Sequence, residues 1–115
     1  MRAQYQVGLA YGFGEGVAED AEQAAMWYRL AAEQGHVYAQ YNLGASYNIG
    51  AGVPKDTMQA FVWMSLAAEQ GDWDAKQFRN VLAGMLTPED LAEAQAMSIR
   101  MWENFVLPFL QVAPE

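Results

Sequence analysis

Apolar residues along this chain recur with the period of an α-helix, and they do so in blocks. Ala3, Val7, Gly8 and Tyr11 fall on one face of a first helix, and Ala39, Leu43, Gly44 and Tyr47 repeat that face further on. Each block is followed by a glycine-rich break, Gly14-Glu15-Gly16-Val17 and Gly50-Ala51-Gly52-Val53, where the chain needs positive φ. Asp20 and Asp56 then stand as N-cap acceptors with Gln23 and Gln59 three residues later, a capping-box pattern. The second helix of each block runs through Ala24, Trp27 and Ala31, or Ala60, Trp63 and Ala67, and is predicted to end at Gly35 or Gly71 as a C′ residue. A third block is weaker. Ala75, Phe78 and Leu82 continue the first-helix face, but Asn80 and Ala83 stand where Gly and Tyr are expected. Thr87-Pro88-Glu89-Asp90 reads as N-cap, proline at N1 and an acidic first turn. The last helix carries Leu91, Ala94, Ser98, Met101, Trp102 and Phe105 on one stripe, and Pro108 limits its continuation. Nothing alternates with period two over the length of a strand.

The blocks are copies at a spacing of 36 residues: the run Leu30-Ala31-Ala32-Glu33-Gln34-Gly35 returns between Leu66 and Gly71, and Trp27 returns as Trp63. A helical unit at this period cannot bury its apolar face alone, so neighbours must stack into one continuous core. The expected fold is all-α: an α/α superhelix of three antiparallel hairpins in a single domain spanning residues 1–115. Two full repeats cover residues 3–38 and 39–74, a degenerate capping pair covers 75–105, and a tail covers 106–115. Gly8 and Gly44, inside helices at the same register, suggest that two helix backbones approach closely there.

Charge narrows the list of partners. A net charge of −8 and a pI near 4.4 argue against nucleic acid and anionic membrane surfaces, which are captured by clustered Lys and Arg. There is no Cys, hence no disulfide framework and no thiolate chemistry. The repeat begins at Ala3 with no secretory signal ahead of it. A complete chain would therefore be cytoplasmic by default, and a fragment of a longer array could be periplasmic.

The spaced string from Ala39 through Leu43-Gly44, Tyr47, Gly50, Gly52-Val53, Asp56, Ala60, Trp63 and Ala67-Ala68 to Gly71 resembles the Sel-one-like repeat, a relative of the tetratricopeptide repeat. The first copy matches too, with Val7 for Leu and the pair Trp27-Tyr28. The resemblance implies a protein-protein interaction module, an adaptor or scaffold in complex assembly, mostly in bacterial signalling or envelope processes. By analogy with tetratricopeptide arrays, the inner groove is expected to be lined by Tyr5, Leu9 and Phe13, then Tyr41, Ala45, Asn48 and Ile49, then Gln77, Val81 and Met85. An apolar groove edged with amides suits an amphipathic helix or an extended peptide segment as partner. Chaperone-adaptor domains of the related family hold a C-terminal dicarboxylate with Lys, Arg and Asn. The aligned residues here, Tyr5, Leu9, Ala45, Asp74 and Phe78, include no basic residue or amide, which disfavours that peptide class.

Catalytic readings find little support. His36, the sole histidine, follows the helix-ending Gly35 and corresponds to Asp72 one repeat later, so a loop or capping role is expected. A hydrolase or small-ligand binder in the groove, of the β-lactamase-like kind discussed for some members of the family, would need a serine with lysine three residues on. Ser46, Ser65 and Ser98 are followed at that spacing by Ile49, Ala68 and Met101. Glu15, Glu19, Asp20 and Glu22 lack calcium-loop spacing, so no metal or cofactor is expected. Trp27 and Trp63 are read as core plugs. The tail Phe105-Val106-Leu107-Pro108-Phe109-Leu110 is expected to fold back near Trp102 and cap the far end of the stack, leaving the N-terminal edge to form a weak homodimer.

Overall fold

The computed structural model describes residues 20–110, all of which lie in helices or loops, with no strand among them. The helices are α1 (Ala21–Ala32), α2 (Val37–Ile49), α3 (Thr57–Glu69), α4 (Trp73–Ala83), α5 (Pro88–Phe105) and the single turn α6 (Leu107–Leu110). The predicted first helix and the loop glycines Gly14 and Gly16 lie outside the described residues, as does the N-terminal edge expected to self-associate. Thus α1 is the second helix of the first repeat, α2 and α3 form the second repeat, and α4 and α5 form the third hairpin.

Local chemistry sets the boundaries. Asp20 and Asp56 accept from the backbone N–H of Gln23 and Gln59, each at 3.1 Å, and Asp72 and Thr87 do the same for Ala75 and Asp90. The return half of the second capping box is taken over by the fold, because the Asp56 N–H donates instead to the Tyr47 carbonyl at 2.9 Å. At the other ends, Gly35 and Gly71 adopt φ of 87° and 102°. The following residues, His36 and Asp72, return their N–H groups to the carbonyls of Ala31 and Ala67, the Schellman closure expected of C′ glycines.

The core is organised around α3, whose residues 60–67 are all buried and which packs against α2, α4 and α5. Gly44 makes the α2 contact close: a Cβ there would stand 3.1 Å from Met64 Cγ and 3.3 Å from the Ala60 carbonyl oxygen. One cluster joins Tyr28, Ala31, Leu43, Trp63 and Leu66, and a second joins Phe61, Met64, Ala75, Leu82 and Ala94. A polar chain crosses this apolar interior. Gln40, with no exposure, donates to the Ala32 carbonyl at 3.1 Å and accepts from Gln70 Nε2 at 2.8 Å. Losing it would remove one of the two hydrogen bonds accepted by the Ala32 carbonyl, the other coming from the Gly35 N–H at 3.0 Å, at a cost of about 0.5–1.5 kcal/mol.

Two expectations are corrected. Trp63 is a core plug, but Trp27 is only half-buried, and its neighbour Tyr28 is the α1 aromatic that enters the cluster. The described part of the tail, residues 106–110, does not cap the far end. Val106 is fully buried among α1, α2 and α3 residues, and a Cβ on Gly35 would lie 3.4 Å from Phe109 Cβ, so residues 106–110 close on the α1–α2 turn. The reason is length: 18 helical residues give α5 a span of about 27 Å, enough to cross α3 and reach the earlier repeat.

Candidate interaction surface

The first helices of the second and third hairpins, α2 and α4, touch through Tyr41 and Phe78, whose rings meet edge to face with centroids 6.1 Å apart. Along α4 the four-residue spacing carries a continuous stripe outward. Trp73 is 69% exposed, Gln77 is exposed, Val81 is 63% exposed, and Met85, just past the helix end, is 60% exposed. Ile49, at the end of α2, is 70% exposed. Such large apolar side chains held in water along one helix constitute the kind of patch that marks a contact surface.

The sequence-predicted residues divide between surface and core. Ile49, Gln77, Val81 and Met85 are solvent-facing. Tyr41 and Ala45 are half-buried and pack against the α3–α5 cluster, and Asn48 is half-buried as well. Tyr41 is thus shared between core and surface, so a charged residue there would cost folding energy as well as binding. Tyr5, Leu9 and Phe13 lie outside the described residues. The exposed aromatics Trp73, Tyr38 and Phe109 are not among the groove positions expected from the repeat pattern. Extending the Gln77–Val81–Met85 spacing one turn back reaches Trp73.

Electrostatics add a rim rather than a reactive centre. Arg79 pairs with Glu69 across α3 and α4 at 3.2 Å, largely in solvent on the Glu69 side, where such a pair contributes about 0–1 kcal/mol. His36 serves as the N-cap of α2, its Nδ1 accepting from the Ala39 N–H at 3.3 Å, which is the capping role expected from its match to Asp72. Among the described residues no group of His, Asp and Glu is arranged to hold a metal ion, and no helix is long and apolar enough to cross a membrane.

Comparison with known proteins places this geometry. The family model for the Sel1 repeat matches residues 2–36 and 37–72. No curated protein matches the chain in sequence. Among solved structures, the chain is similar to c5321, a protective antigen of uropathogenic Escherichia coli strains displaying an SLR fold. That likeness has 33% identity over 98% of this chain and a TM-score of 0.88. It is also similar to a Sel1 repeat protein from Oxalobacter formigenes, with 33% identity over 87% of the chain and a TM-score of 0.70. The chain spans 26% of the first of those proteins and 42% of the second. Two matched repeats, the hairpin stack around α3 and these likenesses together show that the chain belongs to the Sel1-repeat family, whose members are generally protein-protein interaction modules.

Proposed function

We propose that this chain is an adaptor or scaffold segment that holds a partner protein along the face shared by α2 and α4. The observation that carries the proposal is the exposed stripe of Trp73, Gln77, Val81 and Met85 beside Ile49. Tyr41, Ala45 and Asn48 form its partly buried floor and edge. The occupant it suits is an amphipathic helix or an extended segment, since apolar side chains at four-residue spacing offer anchors while Gln77 and Asn48 offer amides to a peptide backbone. A bacterial setting is supported by the organisms of the two similar structures, and a signalling or envelope role within it is what the family resemblance implies. The alternative, a hydrolase or small-ligand binder in the same groove, has no nucleophile motif to rest on.

The test follows from exposure. Val81→Glu combined with Met85→Glu should leave the melting temperature within a few degrees, because substitutions at such surface positions change stability by about 0.5 kcal/mol or less each. Retention of proteins from lysate of the native host should fall at least tenfold, since each Glu must be desolvated against an apolar partner. Equal retention by the double variant and the parent would remove this face from the binding site.

A further inference from the structure

The third hairpin leaves open a space that the second one fills. Between α1, α2 and α3, Arg29 Nη2 donates to the Tyr47 hydroxyl, and the guanidinium lies 5.7 Å from the Tyr47 ring centroid and 5.8 Å from that of Trp63. One register step of 36 residues later, the same two places hold Ser65 and Ala83. Both line a cavity of about 530 Å³ between α3, α4 and α5, within the size range of ligand sites. The cavity persists because α4 and α5 each lean on α3 more than on one another.

The floor carries an unpaired polar group. A buried helical serine usually returns its hydroxyl to the carbonyl four residues back, as Ser46 does to Asn42 and Ser98 to Ala94, each at 2.9 Å. Ser65 is only 6% exposed, and its Oγ is buried with no hydrogen-bond partner. A turn about χ1 of Ser65 would bring this Oγ to the cavity wall, where an occupant with a hydroxyl would pair it.

We propose that this cavity binds a tyrosine side chain presented by a partner polypeptide, replacing the ring that the repeat supplies through Tyr47 in the preceding hairpin. The ring packs against Ile99 and Trp102, and its hydroxyl pairs with Ser65 Oγ. A single ring does not fill the volume. The remaining space, edged by the exposed amides of Asn80 and Gln95, takes the adjoining peptide groups. The site uses a different face of α4 from Gln77 and Val81, so it stands or falls independently of the function proposed for that stripe.

The test is an amide-resolved NMR titration with two probes, the capped peptide acetyl-Ala-Tyr-Ala-amide and free p-cresol. The tyrosine peptide should shift Ser65, Ala83, Ile99 and the Trp102 indole, and bind at least fivefold more tightly than its phenylalanine counterpart. Ala83→Tyr, which restores the repeat's own ring, should weaken the peptide at least tenfold and raise the melting temperature. Ser65→Ala should keep binding but erase the preference for tyrosine over phenylalanine. Absence of shifts at these residues, or undiminished binding to Ala83→Tyr, would overturn the proposal. Binding of p-cresol without the peptide would also overturn it, assigning the cavity to free phenols instead.

Discussion

Replacing Gly52 by Ala is expected to cost about 2–5 kcal/mol, from two separable causes. Gly52 has φ of 78°, a left-handed conformation that costs an L-residue about 1–2 kcal/mol. In addition, a Cβ there would be driven into the Ala21 carbonyl and would stand 2.8 Å from the Glu22 nitrogen. These are backbone atoms at the start of α1, so relief requires moving that helix away from the loop, an overpacking cost of about 1–3 kcal/mol. Gly71 separates the two causes. Its φ is 102°, yet a Cβ would meet nothing within 4 Å, so Gly71→Ala should cost only the conformational term. Urea unfolding of both variants checks this: a midpoint for Gly52→Ala no lower than that of Gly71→Ala would show that the loop yields without disturbing α1. Against a total stability of about 5–15 kcal/mol for a domain of ordinary size, the Gly52 change removes a large share.

Trp63→Ala is expected to cost about 3–5 kcal/mol, as truncations of fully buried aromatics do. Trp63 has no exposure and stacks on Phe105 with centroids 6.0 Å apart and planes 15° from parallel, with Arg29 also set against its ring. It therefore ties the end of α5 to the first two repeats as well as filling space. Hydrogen exchange should show the loss concentrated in residues 101–110, where Phe105 and Val106 lose their anchor, with α4 less affected. Trp63→Phe should cost less than half as much. The Trp63 Nε1 is buried without a hydrogen-bond partner, so removing it relieves an uncompensated donor while an aromatic ring remains against Phe105. Uniform loss of protection across α1–α5 in Trp63→Ala would show a general core role without the specific tie to α5.

Features that depend on neighbours in sequence are legible in the sequence itself. The caps at Asp20, Asp56 and Thr87, the closing glycines Gly35 and Gly71, and the helical period around Trp63 all follow from backbone chemistry within one turn. The capping role of His36 is legible through its match to Asp72. Features that depend on where distant helices come to rest are not. Gly52 can be assigned a positive φ, but its contact with Ala21 depends on how one repeat docks on the previous one. Gln40 gives no sign in the sequence that it will bridge Ala32 and Gln70. The reach of α5 across α3 stays hidden because a stripe such as Met101, Trp102 and Phe105 specifies burial without specifying the surface that buries it. The interaction surface is legible in part: Ile49, Gln77, Val81 and Met85 face solvent, whereas the half-burial of Tyr41 follows from its contact with Phe78 in the next hairpin.

A photoreactive p-benzoylphenylalanine carried at Val81, compared with the same group at Glu93 on the exposed face of α5, tests directly whether the α2–α4 face holds the partner. Both positions are in solvent and tolerate a large aromatic, so the two chains differ in where the probe points. Illumination in the native host should give a discrete protein adduct at position 81 that is absent at position 93 and is lost when Met85→Glu is added. Adducts at 93 matching those at 81, or none at 81 when 93 gives one, would contradict the assignment of this face.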